Sequence, residues 1–173
     1  GHTLGLNHNM KSSSIHTISE LYDSNKLKGK AISGSVMDYP ALNLNPNSKI
    51  KSPYADSSVG HYDQWAIEFG YKPFKSEQER NKILSRSTDP LLIFGNDADI
   101  LYSSRGIDPR VQTNDMSSDP ISYSIDRMNL VNDLFDDILD KFQMPGNTYE
   151  DLRRAFFNLC LLYTSPSPRD SFR

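Results

Sequence analysis

The sequence predicts a mainly α chain with long irregular loops. Two Ser/Thr-x-x-Glu capping boxes, one long stretch with helical apolar spacing and a single four-residue strand candidate carry that prediction. The 173 residues are 36% hydrophobic and 24% charged, the make-up of one ordinary folded domain or a large piece of one. Collagen-like and disordered chains are excluded on those grounds. No stretch approaches the ~18 consecutive apolar residues of a spanning helix. Nineteen Lys and Arg against 22 Asp and Glu give a formal charge of −3. The basic residues are scattered, so nothing argues for nucleic acid or an anionic membrane surface.

Thr17-Ile-Ser-Glu20 is a capping box opening a short helix with Ile18, Leu21 and Tyr22 on its apolar side. Asp38 to Gly60, rich in Asn, Ser, Pro and Tyr, reads as an irregular surface-following loop. Asp63 is then expected to cap a helix that sets Trp65 and Phe69 four apart on one face and ends at Gly70. Ser76 to Glu79 is a second capping box, followed by a charged helix to about Ser85. Leu91-Leu-Ile-Phe94, between Asp89-Pro90 and Gly95, is the strand candidate. Asp119-Pro120 supplies an N-cap and an N1 proline. The helix that follows carries Ile125, Met128, Val131, Leu134, Phe135, Ile138 and Phe142 at the spacing of one buried stripe. Pro145-Gly146 breaks it, and Thr148 with Asp151 starts a last helix through Phe156. No internal repeat is visible.

Both ends read as those of a fragment. The chain opens at Gly1 without an initiator Met, and Cys160 to Asp170, CLLYTSPSPRD, resembles the translation of a sequencing-library adapter. Residues 160–173 are therefore expected to be an adapter-derived tail outside the fold. Setting them aside removes Arg169, Arg173 and Asp170, leaves the chain one unit more negative, and takes away Cys160, the only cysteine. One cysteine cannot form an internal disulfide.

Gly1-His-Thr-Leu-Gly-Leu-Asn-His8 is the most informative stretch. On a continuous helix two histidines six apart would stand roughly 240° from each other. Gly5 changes that: it can adopt a positive φ, end the helix and swing His8 back toward His2, a sensible way to bring two imidazoles to one metal. On its own the heptapeptide equally fits a helix C-cap bearing two solvent-facing histidines.

Ser35-Val-Met-Asp-Tyr39 follows 27 residues after His8. The pairing of G-H-x-x-G-x-x-H with a downstream S-V-M-x-Y resembles the metzincin clan of zinc peptidases, whose signature is H-E-x-x-H-x-x-G-x-x-H followed by a methionine turn. Gly1 to Asn9, Gly34 to Tyr39, Tyr62 to Tyr71 and Asp108 to Pro120 look like the large bacterial zinc-dependent metalloproteases with a met-zincin domain. The likeness runs from Gly1 to about Leu159.

That resemblance implies the C-terminal half of a metzincin-like α+β catalytic domain over 1–159, with a helical extension. It implies zinc as cofactor, a protein or peptide substrate, and a secreted, periplasmic or envelope location in a bacterium. Carried across, His2 and His8 are the second and third zinc ligands and Gly5 the turn glycine. Met37 is the methionine packed beneath them, and Tyr39 a hydroxyl within reach of the metal or the developing oxyanion. The first histidine and the general-base glutamate belong directly before Gly1, outside this chain. The fragment alone is therefore expected to be inactive, although its parent hydrolyses peptide bonds through a zinc-activated water. The rival readings are a non-catalytic envelope binding or scaffold protein that keeps a peptidase-like fold, and a metal-dependent hydrolase of non-peptide substrates.

The remaining candidates have plainer readings. His16 and His61 lack partner spacing and read as loop or surface histidines. Asp97-x-Asp99 fits a solvated acidic turn better than a calcium site. Trp65, Phe69 and Tyr71 read as core rather than as a substrate shelf. Asp133, Asp136, Asp137 and Asp140 form the solvated face of an amphipathic helix.

Overall fold

The computed structural model describes residues 1–47, 49–100, 108–146 and 148–164. Five α-helices stand among them: α1 (Ile18–Leu21), α2 (His61–Tyr71), α3 (Glu77–Leu84), α4 (Pro120–Phe142) and α5 (Tyr149–Thr164). Short 3₁₀ turns occur at His2–Leu4, Ser12–Ile15, Ser85–Thr88 and Pro90–Leu92. No β-strand forms among the described residues, and no helix there is long and apolar enough to cross a membrane. The mainly helical reading holds; the described residues supply no β part. The chain divides into a unit spanning Gly1–Pro120 and a second beginning at Ile121.

In the first unit the capping box at Thr17 forms in full: Thr17 Oγ1 accepts the Glu20 N–H at 3.3 Å and Glu20 Oε2 accepts the Thr17 N–H at 3.0 Å. At Ser76 only half of the expected box forms. Ser76 Oγ accepts the Glu79 N–H at 3.2 Å, but the Glu79 carboxylate takes the Lys75 N–H and pairs with Lys72.

Helix α2 differs from expectation at both ends. Gly60, not Asp63, is its N-cap, and it runs one residue past Gly70, which keeps a negative φ, to an extended Lys72. Trp65 and Phe69 do share a face, their rings stacked 6.1 Å apart, and the Trp65 Nε1–H donates to the Ile83 carbonyl of α3.

The expected strand at 91–94 is a correction. Asp89 accepts the Leu91 N–H on its side chain and the Leu92 N–H on its carbonyl, both at 2.9 Å. With Pro90 fixing φ, these bonds wrap the chain into the Pro90–Leu92 turn instead of freeing it for a ladder. Residues 93–95 then run beside residues 9–10. The Asn9 side-chain amide donates to the Ile93 carbonyl and accepts from the Gly95 N–H, while the Met10 N–H donates to the Gly95 carbonyl. Met10, Ile100 and Val111 pack together behind that seam.

The loop from Asp38 to Gly60 is irregular, as its composition predicts, but it is tied down. Buried Asn43 donates to the carbonyls of Leu21 and Pro53. Asp56 accepts the N–H groups of Ile32 and Ser33.

The second unit is a helical hairpin. Val131 and Ile138 of α4 and Leu159 of α5 are buried together, with Leu134, Phe135, Phe142, Leu152 and Ala155 around them. Ile125, assigned to the buried stripe from its spacing, is 54% exposed. The acidic residues Asp133, Asp136, Asp137 and Asp140 are exposed, and Asp137 pairs with Lys141 one turn on. Helix α5 extends two turns beyond Phe156, because Leu159 continues the face set by Leu152 and Ala155. Cys160–Thr164 of the expected tail are thus helical, and residues 165–173 lie outside the described residues.

Candidate metal centre

The site begins with a turn. His2–Leu4 make one turn of 3₁₀ helix, closed by the Gly5 N–H on the His2 carbonyl at 2.9 Å. Gly5 takes φ +78° and ψ +11°, the left-handed conformation expected for it. The chain reverses, and His8 comes back over His2 with their Nε2 atoms 3.1 Å apart.

The other nitrogen of each ring is engaged. His2 Nδ1 lies 2.9 Å from the Leu6 carbonyl oxygen, and His8 Nδ1 lies 2.9 and 3.1 Å from the two carboxylate oxygens of Asp97. Both partners only accept, so each Nδ1 carries the proton and each ring, when neutral, presents a lone pair at Nε2. Two lone pairs therefore face one point. The Tyr39 hydroxyl stands at the same point, 3.2 Å from His8 Nε2, in a residue that is 52% exposed.

Beneath the turn lies Met37, 6% exposed. A Cβ on Gly1 would sit 1.9 Å from the Met37 sulfur, so the thioether closes directly against the chain just before His2 and a larger residue there would push it aside. The Met37 turn is hung from other elements. Its carbonyl accepts the Asn9 N–H at 3.0 Å, and the carboxylate of Asp63 in α2 accepts the Ser35 hydroxyl and the Val36 N–H. Asp38 accepts from the Ser12 hydroxyl and from the Ser13 and Tyr39 N–H groups. Burial pushes the Asp38 carboxyl up to about 6, against the pull of those donors. Asp115, which accepts the Ser13 hydroxyl, is pushed up to about 7 by burial, with the charge of Asp38 adding to it.

His2, His8, Gly5, Met37 and Tyr39 thus come together in space. The others do not join them. His16 meets the Ala31 carbonyl, and His61 opens α2 on the surface. Tyr71 corrects its core assignment: it is 60% exposed, and its hydroxyl donates to the Leu4 carbonyl in the His2 turn. Asp97 was read as half of a solvated turn, and its contact with His8 is the one the spacing does not disclose. Asp99 spends its carboxylate on the Asn96 N–H within that turn. Among the described residues, no cluster of three or more His, Cys, Asp or Glu side chains is arranged to hold a metal.

The sequence profile of the Met-zincin family matches residues 1–165. The chain belongs to the Met-zincin family. Membership brings a metzincin-type zinc metallopeptidase domain, and zinc binding is a property of the family. No curated protein and no solved structure matches the chain. In this Met-zincin chain the donors suit zinc in kind and in spacing. Neutral imidazole nitrogens are ordinary zinc ligands, and two tetrahedral ligands at ~2.0–2.1 Å from the ion lie about 3.3 Å apart. The observed 3.1 Å between the Nε2 atoms is close to that separation.

Proposed function

We propose that His2 and His8 are two of three protein ligands of a catalytic zinc, in a peptidase that hydrolyses internal bonds of protein substrates. The observation that carries this reading is the pair of Nε2 lone pairs facing each other at 3.1 Å with both Nδ1 atoms already engaged. Such a pair needs a shared cation or proton between its members. The third ligand and the general-base glutamate are those of the family signature, which belong directly ahead of Gly1.

Bound there, zinc supplies a polarised water whose pKa falls toward ~7. The residues of this chain do the rest. The Leu6 carbonyl and Asp97 hold the two rings in the tautomer that presents Nε2. Met37 gives the imidazoles an apolar, polarizable floor that keeps bulk water from beneath them. Tyr39, exposed and hinged beside His8, donates its hydroxyl hydrogen to the carbonyl oxygen of the substrate as charge gathers there. Loss of such a donor costs roughly 2.7–4 kcal/mol of transition-state stabilisation. A secreted or envelope location follows from the resemblance and belongs to the same proposal.

The test has two stages. Zn²⁺ titrated into the 173-residue chain is expected to bind weakly, and His2→Ala and His8→Ala should each lower that affinity at least tenfold. A chain in which His-Glu-x is joined before Gly1 is expected to cleave unfolded protein and to stop on chelation, and Tyr39→Phe should slow it about 10²–10³-fold. Intact substrates across a broad panel, with no effect of a chelator, would leave a scaffold with a peptidase-like fold as the better description.

A further inference from the structure

We propose that Asp97 is a positioning residue for His8, fixing its tautomer and its aim at the metal; the inference rests on the zinc reading above. The two histidines reach their Nδ1 partners in different ways. The partner of His2 is the Leu6 carbonyl, four residues on, so the glycine turn itself supplies it. The partner of His8 is a carboxylate 89 residues away, and it has to be brought.

The structure brings it through the residue next to His8. Asn9 is fully buried, and its side chain clamps residues 93 and 95 from both sides. The Met10 N–H donates to the Gly95 carbonyl at 2.8 Å. Gly95 permits this approach, because a Cβ there would meet Val111 Cγ2 at 2.6 Å and Lys11 Cβ at 3.2 Å. A turn closed by Asn96 and Asp99 follows. The Asn96 side chain accepts the Ala98 N–H, and Asp99 accepts the Asn96 N–H. Asp97 stands at the head of that turn with both oxygens on His8 Nδ1. The segment that carries the carboxylate is thus pinned to the segment that carries the imidazole, one residue after His8 and two before Asp97.

Stability does not account for the pair. The Asp97 side chain is 64% exposed, and a contact this open to water contributes little to stability. Orientation does. A carboxylate on the far nitrogen of a metal-binding histidine fixes the tautomer, holds the ring plane and raises the basicity of the ligating nitrogen. Removing such a partner typically weakens metal binding 10–100-fold.

The experiment uses the full 173-residue chain, with Zn²⁺ affinity read by competition with a chromophoric chelator and the His8 tautomer read in the metal-free protein by long-range ¹H–¹⁵N correlation. Asp97→Ala is expected to weaken zinc about 10–100-fold and to move His8 away from the Nδ1–H tautomer, leaving His2 unchanged. Asp97→Asn keeps an acceptor without the charge and should recover part of both effects. An Asp97→Ala protein with wild-type affinity and an unmoved tautomer overturns the proposal, as does an Asp97→Asn protein that loses as much of both as Asp97→Ala. Failure of the zinc reading looks different: His2→Ala and His8→Ala would then bind zinc as the unmodified chain does, whatever the tautomer of His8.

Discussion

Gly5 decides whether His8 can reach His2. Its φ of +78° lies where an L side chain meets the following carbonyl, at a cost of about 1–2 kcal/mol. Nothing lies within 4 Å of a Cβ built there, so the cost of a substitution is backbone conformation alone and not a clash. Gly5→Ala is therefore expected to lower unfolding free energy by about 1–2 kcal/mol in a urea titration, and Gly5→Asn by less, since Asn tolerates the left-handed region. The alanine chain should also lose zinc affinity, because relaxation to negative φ carries His8 off its position. An alanine variant as stable as the original would mean that the turn is not held at Gly5. This residue was legible in the sequence because the turn and both histidines lie within eight consecutive positions. Asp97 was not. Spacing encodes what is near along the chain, and 89 residues separate Asp97 from the ring it holds.

At the scale of elements, α2 is the bracket from which the methionine turn hangs. Gly60 packs so closely that a Cβ would lie 2.0 Å from the Gly34 carbonyl oxygen, and the Tyr62 N–H donates to that oxygen at 2.9 Å. One residue on, Asp63 reaches Ser35 and Val36 from a buried position. An aspartate at a helix start ordinarily caps its own helix, so the sequence reading assigned it that local duty, and the glycine took the cap instead. The apolar run at 91–94 misled in the same way, since Asp89 and Pro90 closed a local turn before any partner strand was in reach. Helices and their caps are read from neighbours in sequence, whereas the duties of buried carboxylates belong to the tertiary fold. Asp63→Ala strands a hydroxyl and a backbone N–H together and should cost about 2–4 kcal/mol. Asp63→Asn keeps one acceptor and should cost about half as much. Met37 would be oxidised to sulfoxide faster in both, in the order of their instability. Equal oxidation rates in all three proteins would dissociate α2 from the methionine turn.

Across the first unit as a whole, several carboxylates are turned inward to hold loops that have no regular structure of their own. Asp38 and Asp115 give this arrangement a measurable pH dependence. In the unfolded chain both titrate near the ordinary 3.8; folded, they titrate near 6 and near 7, raised chiefly by burial. Between those limits the folded protein keeps protons that the unfolded chain has released, so stability falls as pH rises from about 4 to about 7 and then levels. Asp108 works in the opposite sense. The Arg110 guanidinium and the Lys11 ammonium hold its carboxyl well below the usual range, and the stability it contributes is present above about pH 4 and lost on acidification. Above pH 4 the buried pair therefore sets the slope. Urea titrations at pH 5 and pH 8 are expected to show the 173-residue chain less stable at the higher pH by roughly 2–4 kcal/mol. Asp115→Asn has no proton to lose at that position and relieves Asp38 of a neighbouring charge, so it should narrow the difference to less than half. Parallel pH slopes for the two proteins would mean that Asp115 is not held protonated by the fold. The loss has a place as well as a size. Asp38 sits between Met37 and Tyr39, and the Tyr39 carbonyl and the Ala41 N–H pair with Asn114 and Asp115. The backbone that carries the Tyr39 hydroxyl to His8 is the backbone these two charges push apart.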